Sequence, residues 1–579
     1  MNPKARSFQF WRGLAPTEAV EQAHATVDAH DDPAMFITLR DRADALASAR
    51  RLAAEGPAGK PLYGLPFAVK DNIDVAGMPT TAACPAFAYM PEASAFAVAR
   101  LEAAGAICIG KTNLDQFATG LVGVRSPYGV PRNTLRADLV PGGSSSGSAT
   151  AVGAGIVAFS LGTDTAGSGR VPAALNGIAG LKPSLGMLSA TGVVPACRTL
   201  DTISIFAANA ADAAAAAAVA QGFDPADFLS RELPAAGIAP LPPKFRVGVP
   251  KKADRLFFGD SLAEKAYEAD LGKLAGLGAE IVEIDFQPFF AVAKLLYEGP
   301  WVAERYHAVR SIIEANPDAL YPVTRAIISG ASRFNAVDTF DALYKLASLR
   351  RSVAPVLKSL DLLAVPSIPT VYTVEEVLAD PVRLNSNLGT YTNFVNLLDL
   401  AAISVPVGMR GDGLPSSLTL IGKAGSDASL AGIASVLEGG ARPAPSPRPG
   451  EIALAVVGAH LTGMPLNHEL TSRNATFLEA TQTSPDYRLY ALSGTKPPKP
   501  GLLRVAEGAG EPIAIEIWSM PVDAYGSFVA GIPAPLGIGT LRVKDGRQVQ
   551  GFVVEAEAVK DATDITAYRS WRAFMSRPA

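Results

Sequence analysis

The stretch from Pro141 to Pro172, PGGSSSGSATAVGAGIVAFSLGTDTAGSGRVP, constrains this chain more than any other. Residues 139–163 carry no charge, and glycine recurs at 142, 143, 147, 153, 155, 162, 167 and 169. Serines fall in two places, Ser144-Ser145-Ser146 and the isolated Ser168, with Asp164 and Arg170 bracketing the second. Glycine admits positive φ and close approach of the backbone, and successive exposed N–H groups form an anion-binding nest. An oxyanion requires such a nest, and a serine beside it can act as a nucleophile.

Other uses of glycine fit this stretch poorly. A phosphate loop needs GxxxxGK[ST], and no lysine follows these glycines. A dinucleotide fingerprint would need a third glycine where Ala158 stands. Gly143-Ser144-Ser145-Ser146-Gly147 matches the GxSxG elbow formally, but Pro141 and two glycines occupy the place of the buried strand an elbow requires. A flexible linker is excluded by the run ATAVGAGIVAFSL, which reads as a buried, helix-like segment. That run is too short and too rich in glycine to span a bilayer.

A serine nucleophile needs a base. The five histidines lie at 24, 30, 307, 460 and 468, so a Ser-His-Asp triad would have to recruit a distant one. A Ser-Lys arrangement is the alternative. Lys70 ends the apolar, strand-like run Leu65-Pro66-Phe67-Ala68-Val69-Lys70. Desolvation there would lower its pKa toward the neutral, basic form. A lysine at a strand end is also commonly a solvated cap.

The ordered motifs VKDN, GGSS, DTAGSGRVPA and GLKPSLG resemble those of the amidase signature family of serine amidases. Ser168 follows Ser144 by 24 positions (168 − 144), and Ser144 follows Lys70 by 74 (144 − 70), intervals that fit the family's Ser–cisSer–Lys triad. The resemblance covers about residues 15–440. It implies that Lys70 is the base, Ser168 the nucleophile and Ser144 the relay between them. It also implies a cis peptide at Ser144, expected at Gly143–Ser144, and an oxyanion hole made by the N–H groups of Thr165, Ala166 and Gly167. The fold it implies is α/β, a central mixed sheet flanked by helices. The alternation of apolar strand-like and helical runs independently argues for an α/β sheet.

At 579 residues, with 49% hydrophobic and 18% charged, the chain can bury a sizeable core. A net charge of −4 gives no reason to expect nucleic acid or an anionic membrane as partner. Cys84, Cys108 and Cys197 contain no CxxC and are odd in number, which suits a reduced, cytoplasmic setting. Neither the Cys nor the His pattern offers a zinc ligand cluster. Residues 1–13 lack the apolar core of a signal peptide. The alanine-rich run 207–220 reads as a buried helix. Strands are expected at 106–109, 245–249, 281–284, 362–365 and 403–407, with a turn at Gly110-Lys111-Thr112-Asn113.

Residues 289–315 form a helical pattern broken at Gly299-Pro300. Tyr297 and Arg305 flank the break, and the kink could turn both to one cleft. Arg305 could equally pair with Glu304 or another surface acid. The segment LLYEGPWVAERY resembles the one with which the allophanate-hydrolysing branch of the family holds the substrate carboxylate through Tyr and Arg. A planar guanidinium fork suits that task better than an ammonium.

The order of the chain suggests an amidase domain over 1–440, a Pro-rich linker over 441–450 and a second domain over 451–579. The second domain reads as small, β-rich and barrel-like, with strands near 452–457, 514–518, 526–529, 540–543 and 551–555. It resembles the γ-glutamylcyclotransferase-like C-terminal domain of full-length members of that branch. His460, in the loop after its first strand, sits where the branch places a second catalytic step. The resemblance thus implies hydrolysis of allophanate, no cofactor, a homodimer, and a urea carboxylase as a candidate partner. Two rivals stand beside it: a transamidating subunit with the same triad, and a tail that only docks or dimerises.

Overall fold

The computed structural model describes residues 2–242, 244–441, 446–447 and 450–577, so most of the expected Pro-rich linker lies outside the described residues. The chain divides into two compact units. The first comprises Met1–Ile238, Arg246–Gly276 and Ile281–Gly440; the second comprises Ala239–Phe245, Leu277–Glu280 and Ala441–Ala579.

An eleven-stranded sheet runs through the chain up to residue 423. Its strands are β1 (Phe36–Leu39), β2 (Pro66–Lys70), β3 (Ile107–Thr112), β4 (Phe159–Asp164), β5 (Ala179–Lys182), β6 (Thr202–Ala207), β7 (Phe245–Pro250), β8 (Ala279–Ile284), β9 (Leu362–Pro366), β10 (Leu400–Met409) and β11 (Pro415–Lys423). Their spatial order is β1-β3-β2-β4-β6-β5-β10-β11-β9-β7-β8. β2 pairs in parallel with β3 and β4, whereas β4–β6 and β10–β11 are antiparallel, so the sheet is mixed as expected. Every residue of β2, β3 and β4 is buried. Strands covered on both faces read as continuous apolar runs, which is why Leu65–Val69 was legible.

Two expectations for this unit need correction. The run 149–161 is not one helix: a helix covers Ser146–Gly153, and β4 begins at Phe159. Gly155 makes the break at φ +70°, where an added Cβ would lie 2.3 Å from the Lys4 carbonyl. Gly110-Lys111-Thr112 is not a turn but the end of β3, because it pairs with β1 on one side and β2 on the other, and the buried Lys111 is paired with Asp71 at 3.1 Å. The alanine-rich helix, Ala210–Ala220, is buried along one side as anticipated.

The second unit contains a five-stranded sheet of β12 (Glu451–Val456), β13 (Thr476–Gln482), β16 (Ala514–Pro521), β17 (Leu536–Arg542) and β18 (Gln548–Val554), in the order β13-β16-β12-β18-β17. A single bridge between Thr483 and Val543 joins the ends of the two outer strands, so the sheet curls almost closed. A three-stranded sheet of β14 (Tyr487–Ala491), β15 (Pro500–Arg504) and β19 (Thr563–Asp564) accompanies it. The strand expected near 526–529 is instead the helix Val522–Ala530. Tyr525, Phe528 and Val529 pack against the core from one side of that helix, a three-to-four-residue spacing that alternation cannot satisfy. No helix among the described residues is long and apolar enough to cross a membrane.

Candidate active site

Lys70 is the last residue of β2, and its side chain is fully buried. Nζ donates to Ser144 Oγ and to Thr163 Oγ1, both at 2.8 Å. Burial lowers its pKa to about 7, against the opposing pull of Asp115, Asp201 and Asp164; Arg305 lowers it further. A desolvated ammonium is costly, so the neutral amine is accessible near neutrality. Ser144 sits just before the helix Ser146–Gly153, and the Gly143–Ser144 peptide is cis. Its neighbour Ser145 faces elsewhere, donating to the Thr163 carbonyl at 3.2 Å.

Ser168 lies on the turn between β4 and the helix Val171–Asn176. Asp164 organises that turn. Its carboxylate accepts from Gly167 N at 2.9 Å, from Gly169 N at 3.0 Å, and from Arg170 Nε and Nη2 at 2.9 Å each. The buried guanidinium holds Asp164 below its ordinary pKa despite desolvation. Gly167 has φ +133°, and a Cβ there would meet Thr392 Oγ1 at 2.4 Å. The Ser168 hydroxyl donates to the Gly120 carbonyl at 3.5 Å, and among the described residues it makes no hydrogen bond to Ser144. The Lys70–Ser144 half of the expected relay is therefore formed, and the Ser144–Ser168 half is open.

The expected oxyanion donors divide. The Gly167 N–H is engaged by Asp164, while the Ala166 carbonyl is fixed by Thr392 Oγ1 at 2.6 Å. Thr165 is anchored by its side chain, which donates to the Asp201 carboxylate. Asp201 also accepts from Ala196 N at 2.7 Å, and burial raises its pKa to about 6.

Arg305 belongs to the helix Val302–Ala315, and Tyr297 to the helix Gln287–Glu298, with Gly299 and Pro300 in the gap. The guanidinium lies 5.7 Å from the Tyr297 ring centroid. Arg305 is 2% exposed; Nη1 donates to Thr119 Oγ1 at 3.1 Å and to the Ala118 carbonyl at 3.4 Å. Glu304, the rival partner, accepts instead from Thr199 N at 2.9 Å and from Thr199 Oγ1 at 2.6 Å. Among the described residues no carboxylate forms an ion pair with Arg305. A buried, unpaired guanidinium is expensive unless an anion joins it.

Ala118-Thr119-Gly120 thus touches both halves of the site, Arg305 through Thr119 and Ser168 through Gly120. Several residues here were not singled out from sequence: Thr163, Asp115, Asp201 and Arg125. Buried Asp115 accepts from Gly123 N and Arg125 N, and a Cβ on Gly143 would lie 2.1 Å from its Oδ2. Buried Arg125 donates through Nη1 to the Thr119 carbonyl at 2.9 Å. For Asp115 and Arg125 the one signal in the sequence was a charge set among apolar and small residues, KTNLDQFATGLVGVR.

His460 lies in the second unit, after β12. Its Nε2 is 3.0 Å from Glu469 Oε2, and its ring stacks on Phe552 at 5.0 Å and meets Phe528 edge-on at 5.3 Å. Burial lowers its pKa, opposed by Glu469. A small pocket opens beside it, lined in part by Glu469, Lys499, Ile532 and Phe552.

Fold and site geometry together define a serine amidase framework, and residues 18–431 match the amidase family model: the chain belongs to that family. Residues 452–576 match the model described as the allophanate hydrolase C-terminal domain. The chain is 46% identical over 545 residues to a urea amidolyase of Lachancea kluyveri, covering 89% of this chain and 30% of that protein. It thus spans under a third of the length of that relative. A solved structure of Kluyveromyces lactis allophanate hydrolase superposes with a TM-score of 0.79 at 42% identity, covering 98% of this chain and 99% of that one. A glutamyl-tRNA(Gln) amidotransferase chain of Acidobacterium capsulatum is 33% identical over 460 residues, covering 72% of this chain and 94% of that protein.

Proposed function

We propose that this chain hydrolyses allophanate, H2N–CO–NH–COO⁻, in two steps carried by its two units. The observation that carries the substrate assignment is Arg305, a buried guanidinium with no ion-pair partner among the described residues, sharing the segment 118–120 with Ser168. An uncharged amide would leave that cation unpaired; a substrate with a carboxylate two bonds from the amide carbon would satisfy it. Tyr297, beside the guanidinium, completes the carboxylate-binding wall.

In the first step neutral Lys70 takes the proton of Ser144, which takes that of Ser168 as its oxygen attacks the terminal amide carbon. This requires the Ser168 hydroxyl to swing from Gly120 toward Ser144, a rotation about χ1. Thr165 and Ala166 supply backbone donors to the developing oxyanion, and Gly167 joins them only if its bond to Asp164 yields. Ammonia leaves with the relayed proton, and water cleaves the acyl-enzyme to give N-carboxycarbamate. In the second step His460 protonates the nitrogen of that product as carbon dioxide departs.

The reading places a urea carboxylase upstream and treats the protein as a cytoplasmic homodimer. Ammonia release from allophanate, compared with glutamine and an uncharged short amide, tests it. Faster release from glutamine would instead favour a transamidating role.

A further inference from the structure

The second unit's pocket contains one feature that the reaction above leaves unused. Lys499 stands in the segment Thr495-Lys496-Pro497-Pro498-Lys499-Pro500, where three prolines fix φ and limit how far it can move. Its backbone is held on both sides: Lys499 N donates to Thr495 Oγ1 at 2.9 Å, and its carbonyl accepts from Leu492 N at 3.2 Å. Pro500 packs directly on Gly458, where an added Cβ would lie 2.3 Å from the proline Cδ. Because Gly458 is two residues from His460, this contact seats Lys499 beside the histidine loop. Lys499 and His460 line the same pocket, and no carboxylate forms an ion pair with Lys499 among the described residues. The pocket's one carboxylate, Glu469, is held by His460 Nε2.

The remaining walls are apolar: Phe528, Ile532, Leu536 and Phe552. The pocket therefore has a cation on one side, an oriented imidazole, and a hydrocarbon surface. We propose that Lys499 binds one carboxylate of a small dicarboxylate in this pocket, setting the other against the apolar wall, and that Glu469 is a positioning residue for His460. This rests on the second step of the reaction proposed above. The balance is ⁻OOC–NH–COO⁻ + H⁺ → H2N–COO⁻ + CO2. The C–N bond to the departing group breaks, its electron pair goes to nitrogen, and His460 in its protonated form delivers the proton there. An apolar wall disfavours the charged carboxylate and tolerates neutral carbon dioxide, so it favours loss from that end. Lys499 stabilises the carboxylate that is retained.

Malonate, which replaces the central NH by CH2 and cannot decarboxylate under these conditions, is the probe. In the full chain with labelled histidines, malonate is expected to shift the His460 signals, with the Lys499→Met variant binding about 10- to 100-fold more weakly at this site. Lys499→Arg, which keeps the charge, should retain most of the affinity. Removing the cation should also raise the His460 pKa, whereas Lys499→Arg should leave it near the parent value, which separates the lost charge from lost packing. His468, which does not line the pocket, reports whether each variant is folded. With allophanate, Lys499→Met should delay carbon dioxide relative to ammonia. Glu469→Gln should lower the second-step rate while leaving malonate affinity within a few-fold. A malonate response at His460 that is the same in folded Lys499→Met as in the parent overturns the proposal. If no ammonia is formed from allophanate, the proposed reaction fails, while the malonate titration still decides the role of Lys499.

Discussion

Asp164 and Arg170 face each other through two hydrogen bonds of 2.9 Å, and Ser168 is carried on the turn they close. Both side chains are fully buried, and the same carboxylate holds the Gly167 and Gly169 amides. The pair fixes where the nucleophile stands and which amides remain to meet an oxyanion. Replacing Arg170 by Met leaves a buried carboxylate without its countercharge, a loss of roughly 3–5 kcal/mol. Chemical denaturation of Arg170→Met should register that loss together with nearly complete inactivity. Parent-like stability would mean that the fork contributes little.

Lys70 should set the acid side of the pH profile. With its pKa lowered to about 7, it is protonated and inactive as a base below that pH, and the rate rises as the proton leaves. Asp201, raised to about 6, is largely ionised across the active range, so a single dominant step near 7 is expected in kcat/KM. Lys70→Ala should lose most activity, and Lys70→Arg should not recover it, because a guanidinium does not act as a base. An active arginine variant would make Lys70 a structural residue.

The serine cluster can be ranked. Ser168→Ala removes the attacking oxygen and should abolish turnover. Ser144→Ala breaks the 2.8 Å contact with Lys70 and should come close to that loss. Ser145 contacts the Thr163 backbone instead, so Ser145→Ala should be the mildest of the three. Steady-state rates for the three variants decide; inactivation by Ser145→Ala alone would point back to a GxSxG elbow.

Arg305→Gln should lower kcat/KM for allophanate about 10- to 150-fold, the worth of a charge-assisted hydrogen bond. The effect on an uncharged short amide should be much smaller. Equal losses on the two substrates would show that Arg305 supports segment 118–120 through Thr119 rather than reading a carboxylate.

The central sheet and the positions of the candidate residues were legible because their signals are local. Buried strands such as β2 are short apolar runs, and the Ser/Gly motifs keep their spacing along the chain whatever surrounds them. Helix against strand was less legible where glycine interrupts an apolar run, as at 149–161, or where a four-residue window fits both periods, as at 526–529. Charge and geometry at the site were decided only by tertiary structure. Lys70 could have been a solvated cap, and complete burial between β3 and β4 brings its pKa near neutrality. Arg305 could have paired with Glu304, until Thr199 took that carboxylate and left the guanidinium to Thr119. Asp115 meets Gly143, and Lys499 reaches the His460 loop through Pro500 on Gly458, by contacts between distant segments that no local pattern encodes. Sequence specified which groups the chain brings; desolvation and pairing across the fold determined which of them are free to act.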